Sequence, residues 1–126
     1  MTRGDAIEFA EECQQVWSVA AFRVFAEVYT FANTLMKMSR DDAQSFASDW
    51  MDRDDHDQFP RYRRAFEFAR AREGLGLGVE RAGDFVEAFD RDHGIGYFER
   101  FQQAFGVARG AGRSRSDAED YAFGQL

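Results

Sequence analysis

One short pattern recurs along this chain: Asp5-Ala6-Ile7-Glu8-Phe9-Ala10, Asp42-Ala43-Gln44-Ser45-Phe46-Ala47, Arg81-Ala82-Gly83-Asp84-Phe85-Val86 and Asp117-Ala118-Glu119-Asp120-Tyr121-Ala122, spaced 37, 39 and 36 residues apart. A second pattern lies between the copies: Phe22, Phe25, Val28, Tyr29 and Ala32; Phe59, Tyr62, Ala65, Phe66 and Ala69; Phe98, Phe101, Ala104, Phe105 and Ala108. Positions i, i+3, i+4 and i+7 share one helix face, because successive side chains turn by about 100°. Both patterns are therefore apolar stripes on helices, and each period is a helix pair. A lone pair cannot bury such stripes, whereas similar pairs packed in succession form a continuous core.

The expected fold is all-α: three helix hairpins of about 37 residues, over 2–38, 39–77 and 78–113, followed by a half repeat over 114–126. A short solenoid and a compact bundle with internal pseudo-symmetry share this pattern, which leaves both open. The period approaches that of tetratricopeptide and HEAT repeats, but their signature residues are absent. Helices are expected over 5–15, 17–36, 40–53, 59–73, 80–91, 97–109 and 115–123, with no β-sheet. Ser116-Asp117-Ala118-Glu119 reads as a capping box, and Ser39 with Asp42 as a similar start. Gly74, Gly76, Gly78, Gly110 and Gly112 close the second helices. Phe46, Trp50, Tyr62, Phe66, Phe85, Phe89, Phe101 and Phe105 are the expected core.

At 126 residues, with 14 Phe and one Pro, the chain fits a single helix-dominated domain over 1–126. Cys13 is the only cysteine, so neither an internal disulfide nor a cysteine-based zinc site can form, which suits a reducing compartment. The first residues are acidic where a signal peptide needs an apolar run, and a cytoplasmic protein is expected. The least polar window, Val16 to Met36, carries Arg23 and Glu27, which argue against a membrane span and are spaced for an i,i+4 ion pair.

The formal charge is −7, and seven aspartates (41, 42, 49, 52, 54, 55 and 57) lie between Ser39 and Asp57 against only Arg40 and Arg53. Such a segment is repelled by phosphate backbones, so the partner it suits is a protein with a basic surface and not nucleic acid itself. Both histidines, His56 and His93, fall in acidic loops. Those loops fail as calcium sites: counted from Asp52, positions 5, 6 and 12 are His56, Asp57 and Arg63, and counted from Asp90 they are Gly94, Ile95 and Phe101. Arginines border the second ladder, Arg63 and Arg70 on one edge and Arg61, Arg64 and Arg72 on the other, with Glu67 placed to pair with Arg63. Ordinary support of the apolar stripe accounts for them, and a carboxylate- or phosphate-gripping surface is the sharper reading. Arg109, Arg113 and Arg115 read as parts of a flexible linker.

No nucleophile motif, phosphate-cradling glycine loop or informative carboxylate pair occurs, so neither catalysis nor a cofactor or metal is expected. The chain reads as a non-catalytic acidic protein-binding domain whose contact residues are Asp49, Asp52, Asp54, Asp55 and Asp57, with Arg61 and Arg64. Basic grooves belong to many nucleic-acid-handling machines, and in charge and size alone the chain resembles anti-CRISPR and anti-restriction regulators. The alternative is an assembly protein that self-associates through an apolar line at Val24, Val28, Phe31 and Leu35. Monomer and homodimer both stay open.

Overall fold

In a computed structural model of the chain, residues 19–126 are described, and every regular element among them is helical. The α-helices are α1 (Val19–Thr34), α2 (Arg40–Met51), α3 (Phe59–Arg70), α4 (Val79–Asp92), α5 (Phe98–Gly110) and α6 (Arg115–Gly124). Short 3₁₀ turns, His56–Gln58 and Ile95–Tyr97, lead into α3 and α5. The helix expected over 5–15 lies outside the described residues. α1, α2 and α3 end two to three residues before the expected positions, while α4 to α6 agree within one residue.

The early ends of α1 and α3 have a common cause. The N–H groups of Met38, Leu77 and Arg113 donate to the carbonyls of Ala32, Ala69 and Ala108 at 3.0, 2.8 and 3.1 Å. Immediately before each donor the backbone turns left-handed, at Lys37 (φ 61°), Gly76 (φ 61°) and Gly112 (φ 86°). Such a residue ends a helix by folding the chain back onto its last carbonyls. One residue after each donor, a new helix is capped: Ser39 and Ser114 accept hydrogen bonds from the Asp42 and Asp117 N–H groups, both at 3.1 Å, while Gly78 caps α4 without a side chain. The cap of α6 is thus Ser114, two residues before the Ser116 of the expected capping box.

Burial follows the repeated pattern with one correction. Ala43, Ala82 and Ala118, with Ala47, Val86 and Ala122, are fully buried. The aromatic residue between each pair, Phe46, Phe85 or Tyr121, is only half-buried. Residues four apart differ by about 40° around a helix, so the small pair marks the centre of the stripe and the aromatic residue lies about 80° to one side of that centre. The other six expected core aromatics, Trp50, Tyr62, Phe66, Phe89, Phe101 and Phe105, are buried.

The chain divides into two compact units, one ending at Phe59 and one running Pro60–Leu126. In the first, α1 packs on α2, and the Phe59 ring meets Phe31 and Trp50 edge-on at 5.3 and 5.5 Å. In the second, Phe101 of α5 is the hub. Its ring lies 5.5 Å from Phe89 of α4, 6.1 Å from Phe68 of α3 and 4.7 Å from Phe123 of α6.

The turn after α3 is tight. A Cβ on the buried Gly74 would overlap the Phe68 carbonyl oxygen, whereas one on Gly106, exposed on α5, would meet nothing. Gly74→Ala is therefore expected to lower unfolding free energy by about 1–3 kcal/mol, and Gly106→Ala to raise it by up to about 1 kcal/mol. Urea denaturation of the two variants checks the opposite signs.

Candidate functional site

Steps of three and four place Asp42, Ser45, Asp49 and Asp52 on one side of α2, opposite the stripe of Ala43, Ala47 and Trp50. All four are exposed, as are Asp54 and Asp57 in the turn that follows. Among the described residues, the carboxylates of Asp49, Asp52, Asp54 and Asp57 make no ion pair or hydrogen bond.

Asp55 is different. Arg53 grips it with two hydrogen bonds, Nε to Oδ1 at 2.7 Å and Nη2 to Oδ2 at 2.8 Å, while the guanidinium lies 3.9 Å from the centre of the Trp50 ring. The hydrogen bond from Arg53 holds the Asp55 carboxyl below its ordinary range. Its folded pKa lies under the unfolded one, so this interaction stabilises the fold above the unfolded pKa and is lost as pH falls through the folded pKa. In Asp55→Asn that part of the acid dependence should vanish, and stability measured from neutral to acid pH checks it. With Asp55 half-exposed the effect is modest.

His56 follows in the 3₁₀ turn, where the equivalent turn of the second unit has the fully buried Ile95. Its Nδ1 is buried with no hydrogen-bond partner among the described residues. The second acidic loop is used internally: the Asp90 Oδ1 accepts from the Ile95 N–H at 3.2 Å, and Asp92 pairs with Arg91 at 3.2 Å. His93 is exposed, with its ring 5.4 Å from both Phe89 and Phe123. Among the described residues no three His, Cys, Asp or Glu side chains come together to hold a metal ion.

The expected contact arginines belong to the second unit and converge on one carboxylate. Arg64 reaches Glu99 Oε1 at 2.8 Å and Arg61 reaches it at 3.5 Å. Arg63 pairs with Glu67 at 3.1 Å, as its spacing predicts, while Arg23 and Glu27 are exposed and do not pair. Along the apolar line of α1, Val28 and Phe31 are buried and Val24 and Leu35 half-buried. Among the described residues no helix is long and apolar enough to cross a membrane.

The second unit has an open cleft of about 570 Å³ that no motif or spacing marks. Leu75, Leu77 and Phe85 form its apolar lining, and Arg81, Asp84, Arg115 and Glu119 its charged one. The sequence places Arg115 in a flexible linker. Instead its Nη2 donates to the Arg72 carbonyl at 3.0 Å, and the neighbouring arginines are also engaged: Arg109 donates to the Arg113 carbonyl at 2.8 Å, and Arg113 lies 4.8 Å from the Tyr121 ring centre. Gly76 makes room for Arg115, since a Cβ there would stand 3.1 Å from its Nη1. Burial, then the charge of Asp120, raises the Glu119 pKa. The sign is opposite to that of Asp55: above its folded pKa the charged carboxyl costs stability, so Glu119→Gln should stabilise the fold at neutral pH and flatten this contribution as pH falls. Thermal unfolding at neutral and acid pH checks it.

The chain matches no protein-family model, no curated protein and no solved structure.

Proposed function

We propose that this chain is a non-catalytic protein-binding domain that docks its acidic face onto a basic surface of another protein, as a small regulator or inhibitor. The observation that carries the reading is the set of exposed aspartates on α2 and its following turn, of which Asp49, Asp52, Asp54 and Asp57 have no partner among the described residues. Like charges held together on a rigid helix repel one another, and a basic partner relieves that repulsion. A nucleic-acid-handling protein suits this face, because its phosphate-binding groove accepts carboxylates in place of phosphates; anti-CRISPR and anti-restriction proteins provide the analogy, by charge and size. The scaffold is a series of three hairpins and a half repeat, supported by the matching junctions after α1, α3 and α5. A cytoplasmic setting follows from the lone Cys13.

Capture of partners at about 0.1 M and about 1 M salt, where the Debye length is about 10 and 3 Å, tests this reading. A partner with a basic groove, held at low salt and released at high salt, is expected. A partner without one, or retention unaffected by salt, contradicts it.

Self-association is the competing reading, favoured by Val24 and Leu35 at the partly exposed ends of the α1 line. Light scattering of wild type and Val24→Arg separates the two. The docking reading expects a monomer in both, whereas a dimer that Val24→Arg converts to a folded monomer supports assembly.

A further inference from the structure

We infer that the cleft lined by Leu75, Leu77 and Phe85 is a binding site for a zwitterionic amino-carboxylate with an apolar side chain, that is, a free apolar amino acid or a short peptide with free ends. Two cations and two anions line this one cleft, Arg81 and Arg115 with Asp84 and Glu119. Opposite charges on neighbouring turns ordinarily pair, and arginine favours two-pronged contact with carboxylate. Here none of the four pairs with another: among the described residues Arg81, Asp84 and Glu119 have no ion-pair or hydrogen-bond partner, and the polar contact of Arg115 is the Arg72 carbonyl. That contact positions the guanidinium without neutralising it. Gly76 gives it the space to stand there.

The combination selects the ligand. A polyanion is repelled by Asp84 and Glu119, and a purely cationic ligand by the two arginines. A ligand with a carboxylate for the arginines and an ammonium for the acids satisfies both signs, and its side chain covers the leucines and Phe85. A volume of about 570 Å³ falls within the usual range of small-ligand clefts and admits a dipeptide as well as an amino acid. The site belongs to the second unit and stands independently of the acidic face of the first.

Calorimetric titration of the full chain with L-leucine, L-phenylalanine and leucyl-leucine tests it, with the methyl resonances of Leu75 and Leu77 reporting location. Saturable binding with a Kd at or below about 1 mM is expected, weakened about tenfold or more when either end is blocked, as in N-acetyl-leucine and leucinamide. The ratio of amino-acid to dipeptide affinity identifies the source. Arg81→Gln and Asp84→Asn remove side chains without described partners, so they should leave the thermal midpoint near wild type while each weakening binding about tenfold. Absence of saturable binding, equal binding of blocked and free compounds, or full affinity in both variants overturns the assignment.

Discussion

Phe101→Ala lowers the free energy of unfolding by about 3–5 kcal/mol, the largest effect expected of any single truncation among the described residues. Phe101 is fully buried, and its ring has neighbours from α3, α4 and α6 as well as its own helix: Phe68, Phe85, Phe89, Phe98, Phe105 and Phe123, all within 6.4 Å between ring centres. Removing it leaves a cavity walled by aromatic rings that cannot collapse together, because they are tied to four different helices. Natural domains have about 5–15 kcal/mol of total stability, so the variant stands near the edge of folding. Phe46→Ala, at a half-buried position, should cost less than half as much. Equal losses in urea denaturation would show that Phe101 is not the hub.

Replacing Asp49, Asp52, Asp54 and Asp57 together with lysine weakens partner binding by at least about 100-fold. None of the four has an ion-pair or hydrogen-bond partner among the described residues, so no such contact there is lost, and lysine at 49 and 52 suits the C-terminal end of α2 in both helical propensity and charge. Arg53 and Asp55 are left in place because their two hydrogen bonds and the Trp50 contact hold the turn together. A thermal midpoint within a few degrees of wild type, together with lost binding, assigns the effect to the surface. Unchanged binding with an intact fold moves the interface off α2, and the Arg61 and Arg64 pair around Glu99 becomes the region to test.

The helices and most of the core could be read from spacing. Ala43 and Ala47, or Phe98, Phe101 and Phe105, sit at helical intervals, and local periodicity alone places them on buried faces. The half-burial of Phe46 and Phe85 required the direction of each side chain around its helix, a finer matter than the three-or-four rule. Lys37 shows a different limit: it takes the left-handed position that Gly76 and Gly112 occupy in the later junctions, and residue type did not mark it as a stop. The acidic face was visible as composition, but not the internal pairing that sets Asp55 apart from its neighbours. The cleft was invisible. Arg81 and Arg115 are 34 positions apart, and they line one cleft with Arg115 held by the Arg72 carbonyl in space left by Gly76, contacts that no helical spacing shows.

The acidic face is tested most directly by the salt dependence of affinity for a purified partner, measured side by side for wild type and the four-lysine variant. Docking through this face predicts a steep fall in wild-type affinity between about 0.1 M and 1 M salt, and weak binding without that slope in the variant. Equal slopes for the two proteins, or a wild-type affinity indifferent to salt, would contradict it.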